Sequence, residues 1–277
     1  MLSHQQLHLT PRALDYQPIQ AHEVVIKPAP TQQRKIIDAF GNPVIEIAIE
    51  AAHASLDVIA HSTVTVTKRP FIDPKETPSW ETVHDALAYR ALWHPEPAIL
   101  EATQFLFESA YARVKRTLRA YAGDCFEPGR PILAAAAALM AKIHGEFKFD
   151  AAATNVTTPV MEFFAQKRGV CQDFTHLMIS CLRSTGLAAR YVSGYLLTRP
   201  APGKPRRVGA DVSHAWVSLC IPGVGWVDLD PTNNIMPSLE HITLGWGRDF
   251  ADVTPLRGVI NGGGEPTLEV KVTVEPV

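Results

Sequence analysis

Three residues in this chain have the types and the order needed to break an acyl bond. Cys171 opens a predicted helix, His214 stands at the start of a predicted strand, and Asp230 ends the strand after it. A thiol can attack a carbonyl carbon, an imidazole can take and return the proton, and a carboxylate can hold the imidazole in one orientation. The text around each is specific: Gly169-Val170-Cys171-Gln172-Asp173-Phe174, then Ser213-His214-Ala215-Trp216, then Gly225-Trp226-Val227-Asp228-Leu229-Asp230-Pro231-Thr232. The chemistry implied is acyl transfer through a thioester.

The thiol needs a setting that favours its anion. Gly169-Val170 lead into the helix, so Cys171 falls in the first turn. Unpaired N–H groups and the helix dipole there favour a negative sulfur and can hold a substrate oxyanion. The helix spans Cys171 to Thr185. Phe174, Leu177, Met178, Cys181 and Leu182 fall on one apolar face, and Gly186 stands where a C-terminal cap belongs. His176 lies on the polar face and reads as a surface or interdomain residue. Cys181 and Cys220 read as packing cysteines, and Cys125 as a loop residue. Gln166 and Gln172 are amides near the thiol, and neither spacing marks an oxyanion donor.

His214 is the best-placed base among eleven histidines, because it adjoins an apolar strand one hairpin away from two aspartates. Asp228 and Asp230 share a strand parity, so alternation does not separate them. The turn at Pro222 to Gly225 does. It sets the residue opposite His214 near 230 to 233, which favours Asp230 as the orienter and leaves Asp228 a structural carboxylate.

The chain of 277 residues is 46% hydrophobic and 19% charged, enough apolar material for a well-buried core and against disorder. A net charge of -2 gives no reason to expect nucleic acid or an anionic membrane as partner. No apolar run approaches a membrane span, and the first residues lack a secretory pattern. Four scattered cysteines without a C-x-x-C pair argue against a disulfide framework or a zinc site and for a reducing cytoplasm. The histidines lack H-E-x-x-H or comparable spacing, so no metal and no cofactor are expected.

Along the chain, residues 1–75 read as a β-rich domain with strands at Glu23 to Lys27, Val44 to Ile49, Leu56 to Ala60 and Thr63 to Thr67. The proline-rich stretch Arg69 to Pro78 reads as a linker. Residues 80–277 read as a second domain. Helices are predicted over Pro97 to Ala122 and Pro131 to His144. Strands follow at Arg190 to Leu197, Ala215 to Ile221 and Trp226 to Leu229. The alternating tail Leu268 to Val274 reads as a half-buried edge strand, and Arg199 to Arg207 as a solvated hairpin tip.

Together the motifs around Cys171, His214 and Asp230, with Gly186 to Tyr195 and Gly247 to Val253, resemble the bacterial transglutaminase-like superfamily. Its core shares the papain-like cysteine-protease arrangement. The resemblance implies an α+β fold in which a helix bearing the cysteine packs on an antiparallel sheet, preceded by a small β-rich domain. It places the family's cysteine, histidine and aspartate on Cys171, His214 and Asp230. The front of the chain resembles the family's N-terminal domain but opens late. A truncated or abbreviated start with an unpaired strand edge is expected. The Arg248-Asp249 pair either lines the cleft or is an ordinary salt bridge or loop anchor. The expected activity is cysteine-dependent hydrolysis of an amide or peptide bond. Transamidation of protein glutamine, and a non-catalytic peptide-binding module on the same fold, are the alternatives.

Overall fold

Short β-branched runs broken by turn residues make the front of the chain a set of strands. The computed structural model describes residues 2–88, 96–198, 213–262 and 267–277. The first strands are β1 (Leu2–Leu7), β2 (Ile19–Lys27), β3 (Gln32–Ile37), β4 (Pro43–Ile49) and β5 (Asp57–Val64). The region around residues 56–67, expected as two strands, contains the single strand β5. It pairs with β2 as a two-stranded ribbon. Leu7, Ile45, Ile47 and Ile49 are buried together against Val24, Ile26, Leu56 and Val58, so the ribbon covers one face of the sheet that β1 and β4 share.

The helical part comprises α1 (Trp80–Leu87), α2 (Pro97–Thr103), α3 (Arg116–Gly123) and α4 (Ile132–Glu146). Two-residue strands β6 (Lys148–Phe149) and β7 (Arg168–Gly169) flank α5 (Val160–Gln166), and α6 (Cys171–Ser184) follows. The single helix expected over Pro97 to Ala122 is therefore two helices. The break has a tertiary cause. Phe105 is buried between Phe40 and Trp226, and its carbonyl accepts the N–H of Ala189 at 3.2 Å. The carbonyl of Phe107 accepts from Arg183 at 3.0 Å. Partners outside the segment satisfy this backbone, and local helix propensity loses.

The second sheet holds β8 (Ala189–Leu196), β9 (Ser213–Ile221), β10 (Gly225–Leu229) and β11 (His241–Gly247), all antiparallel in the order β10-β9-β8-β11. Helix α6 packs on β8 and β9 from one side and meets α3, α4 and α5 on the other. The last strand, β12 (Leu256–Asn261), returns to the first sheet, whose order is β12-β1-β4-β3. The unpaired edge expected at the start of the chain is absent: β1 runs between β12 and β4.

The tail does not form the expected edge strand. Leu268 and Val270 are exposed, Val272 makes an isolated bridge, and Val274 alone is buried there. Alternation supplies a half-apolar ribbon, but a strand also needs a run of partners. The stretch Arg199 to Arg207 lies outside the described residues. No helix among the described residues is long and apolar enough to cross a membrane.

Candidate active site

Cys171 is fixed by how the chain enters α6. Pairing of β6 with β7 pins Arg168 and Gly169, and Arg168 is ion-paired to Asp150. Gly169 admits no side chain, because a Cβ there would run into the Asp173 carboxylate and the Phe163 ring. Asp173, in the first turn, accepts the N–H of Val170 at 2.8 Å and the Thr154 hydroxyl at 2.7 Å. The carboxylate thus ties the entering strand to the helix it opens. At the other end, Gly186 takes φ +80, with Gly186 N–H on the Arg183 carbonyl and Leu187 N–H on that of Leu182. This is a Schellman closure, which requires the left-handed residue.

The Cys171 thiol is partly exposed, and its Sγ lies 3.9 Å from the Ser213 carbonyl. The other three thiols are buried, and burial raises their pKa, that of Cys220 to about 11. The Gln172 amide donates one N–H to the Val156 carbonyl at 3.0 Å.

His214 is the second residue of β9, with Nε2 on Asp230 Oδ2 at 2.7 Å. Burial is the largest influence on this imidazole and pulls its pKa down. Hydrogen bonds to Asp230 and to Cys171, with the negative charge of each, outweigh it and lift the value to about 10. Asp230 is fully buried, which favours its neutral form. Donors from His214, His241 and Asn233 overcome that and hold the carboxyl well below the usual carboxylate range. A direct hydrogen bond joins the histidine to the carboxylate, and the thiol acts on the same imidazole through its charge.

The hairpin register accounts for the choice of aspartate. Leu229 faces Val217 and Asp228 faces Ser218, so Asp230 falls beyond the paired rungs on the side of His214. Its loop is closed by mutual hydrogen bonds between the backbones of Asp230 and Ile235. Its Oδ1 accepts the N–H groups of Thr232 and Asn233 at 3.0 and 3.2 Å. His144, at the end of α4, donates to the Thr232 carbonyl at 2.9 Å and braces the same loop. Asp228 instead accepts Trp216 Nε1 at 2.9 Å and Arg69 Nη1 at 2.5 Å. It joins the sheet to the proline-rich stretch and does not orient the imidazole.

One expectation changes. His176 is neither at the surface nor polar-solvated: it is 2% exposed, stacked on Tyr111 at 5.3 Å and tilted against Tyr191. It accepts the Phe250 N–H at 3.2 Å, and burial drives its pKa well below the ordinary value against the pull of Asp249. Arg248 and Asp249 do not pair with each other. Arg248 pairs with Asp252, while Asp249 accepts the N–H groups of Tyr111 and Ala251. Both anchor the loop after β11, the second of the two readings open for them.

Sequence reasoning missed His241 and Asn233. His241 Nε2 lies 3.1 Å from Asp230 Oδ2, and Asn233 donates to the same oxygen at 2.7 Å. The signal available was a histidine opening an alternating His241-Ile242-Thr243-Leu244 run soon after the Asp230 turn. Among the described residues, His214, Asp230 and His241 form a group close enough to hold a metal ion. The hydrogen bonding fits a metal poorly. Asn233 already occupies the shared oxygen, and the second nitrogen of His241 is buried with no partner, whereas a ligating histidine donates its other N–H.

Comparison with known proteins bears on the family and the fold. Residues 119–231 match the model of the transglutaminase-like superfamily core, and residues 1–65 match the bacterial transglutaminase-like N-terminal region. An uncharacterized protein of Mycobacterium tuberculosis is 36% identical over 276 residues, spanning 97% of this chain and 85% of that protein. The chain belongs to the transglutaminase-like superfamily. A crystal structure of a candidate cysteine protease from Cytophaga hutchinsonii superposes with TM-score 0.70 at 18% identity, covering 94% of this chain and 81% of that one. That likeness shows the shared α+β fold. A protein-glutamine gamma-glutamyltransferase of Pseudomonas aeruginosa is 33% identical over 102 residues, 34% of this chain and 15% of that protein.

Proposed function

We propose that this member of the superfamily is a cysteine-dependent acyl-transfer enzyme acting on amide or peptide bonds, with Cys171, His214 and Asp230 as its catalytic triad. The observation that carries the reading is His214, hydrogen-bonded to a buried carboxylate and next in the chain to Ser213, whose carbonyl lies 3.9 Å from the partly exposed Cys171 thiol. The imidazole takes the thiol proton, and the sulfur attacks the substrate carbonyl carbon. First-turn N–H groups of α6 hold the oxyanion. The tetrahedral adduct collapses as the imidazolium gives its proton to the departing amine, which leaves a thioester on Cys171. Water, deprotonated by His214, then attacks the thioester and regenerates the thiol.

A peptide or protein is the expected substrate, and hydrolysis the expected outcome. A primary amine in place of water gives transamidation by the same steps. The local similarity to the Pseudomonas aeruginosa gamma-glutamyltransferase favours testing that outcome alongside. The test is a panel of peptides assayed in parallel for cleavage and for incorporation of a labelled primary amine into a glutamine donor. The reading expects turnover in one arm, lost in Cys171→Ala and kept in Cys181→Ala. Turnover that survives Cys171→Ala overturns it.

A further inference from the structure

One oxygen of Asp230 carries more than a triad requires. Oδ2 accepts from His214 at 2.7 Å, from Asn233 at 2.7 Å and from His241 at 3.1 Å. A carboxylate oxygen only accepts, so each partner must present an N–H. His241 is 1% exposed, so its hydrogen bond is not traded against water. Its other nitrogen is buried and unpartnered, which an imidazole tolerates as a bare acceptor better than as an unmet donor.

The ring has been given a fixed seat. It lies nearly perpendicular to the Trp216 ring, at 5.1 Å and 84°, and the His214 ring lies 5.8 Å away. Trp216 is itself held by Asp228. Beneath it Gly194, paired with His214 across the sheet, leaves no room for a Cβ against the Ile242 carbonyl and the Trp216 ring. Thus β8, β9 and β11 are fitted so that two imidazoles from different strands meet on one carboxylate.

We propose that His241 is a positioning residue for the reaction: as second imidazole donor to Asp230, it fixes the carboxylate on which His214 leans, making a four-membered unit Cys171–His214–Asp230–His241. This rests on the catalytic reading above. The titratable groups facing Asp230 are His214 on β9 and His241 on β11, and Cys171 on α6 reaches it only through His214. Loss of a donor makes the buried anion easier to protonate. The acid limb of Cys171 reactivity then moves to higher pH.

The test separates the hydrogen bond from the ring. His241→Phe keeps a ring against Trp216 and removes the donor, while His241→Gln removes the ring and keeps an amide N–H close to the Nε2 position. His241→Asn sets that N–H one bond short. The rate of Cys171 alkylation by iodoacetamide is followed from pH 4 to 9 in folded chains, with folding checked by near-UV circular dichroism. The proposal expects a loss of about tenfold to a hundredfold on the acid side in His241→Phe and His241→Asn, and less than about threefold in His241→Gln. Should His241→Phe fail to fold, the Gln and Asn variants still carry the contrast. A wild-type rate in His241→Phe with a loss in His241→Gln makes the residue a packing element and overturns the proposal. A wild-type chain whose Cys171 shows no enhanced acid-side reactivity overturns the catalytic reading first, and this role with it.

Discussion

Two buried histidines, each beside a buried aspartate, take opposite fates in this fold. His214 meets Asp230 directly and its pKa rises to about 10. His176 sits near Asp249, yet its pKa falls well below the ordinary value. Burial penalises the cation in both. The difference lies in what the aspartate's oxygens are doing. Asp249 spends its oxygens on the backbone N–H groups of Tyr111 and Ala251, and His176 is an acceptor from Phe250. Asp230 uses one oxygen for its own loop and leaves the other to side-chain donors, His214 among them. Proximity of a charge does not overcome burial here, whereas a direct donor contact does.

The largest expected effect comes from turning the first pair into the second. Asp230→Asn removes the charge that sustains the imidazolium, and His214 should then follow burial downward as His176 does. Turnover should fall by roughly a thousandfold to ten-thousandfold, as replacement of an orienting carboxylate by its amide does in a triad. A pH–rate profile on the substrate found in the panel screen checks it, and a drop under tenfold would break the comparison.

Asp249→Asn probes the reverse. It leaves the candidate triad untouched and sets an amide against two backbone donors. The expected cost is about 1–3 kcal/mol of stability in urea unfolding. Cys171 alkylation should stay within about twofold of wild type, since Asp249 makes no hydrogen bond to Cys171, His214 or Asp230. A parallel loss of reactivity would mean that the pairs are coupled.

A smaller effect concerns pH. Below the ordinary histidine value of about 6.5, unfolded His176 takes up a proton that the folded residue refuses, so stability falls as pH falls. His176→Gln should flatten that decline by about 1 kcal/mol between pH 7 and 5.5. His214 has the opposite sign. Its contribution is complete below about 6.5 and is lost as pH rises towards about 10. The contribution of Asp230 is present above the ordinary carboxyl value and is lost only as pH falls through its depressed one. Denaturation curves taken across both windows would test all three signs.

Much of this site was legible in the sequence because strand and helix periods are local. The first-turn place of Cys171, the capping role of Gly186 and the hairpin that brings Asp230 towards His214 follow from neighbours a few residues away. The fate of His176 was not legible. A polar helix face implies solvent only when nothing covers it, and here loop backbones do. Arg183 on the same helix is buried likewise, bonded to the carbonyls of Ala189, Phe107 and Arg248. Partners such as Phe107 and Arg248 lie far along the chain and leave no periodic trace. The break after α2 was hidden for the same reason, since Phe105 and Phe107 meet Ala189 and Arg183. The tail shows the converse, a clear period whose pairing goes no further than one bridge.

The central claim is that one thiol of four is made reactive by its place in the fold, and mass-mapped alkylation at pH 6 measures it directly. The native chain and the urea-unfolded chain are treated with iodoacetamide under otherwise equal conditions. The account predicts that Cys171 reacts faster in the native chain than in the unfolded one, while Cys125, Cys181 and Cys220 are labelled only after unfolding. A native Cys171 that reacts no faster than its unfolded counterpart would contradict it.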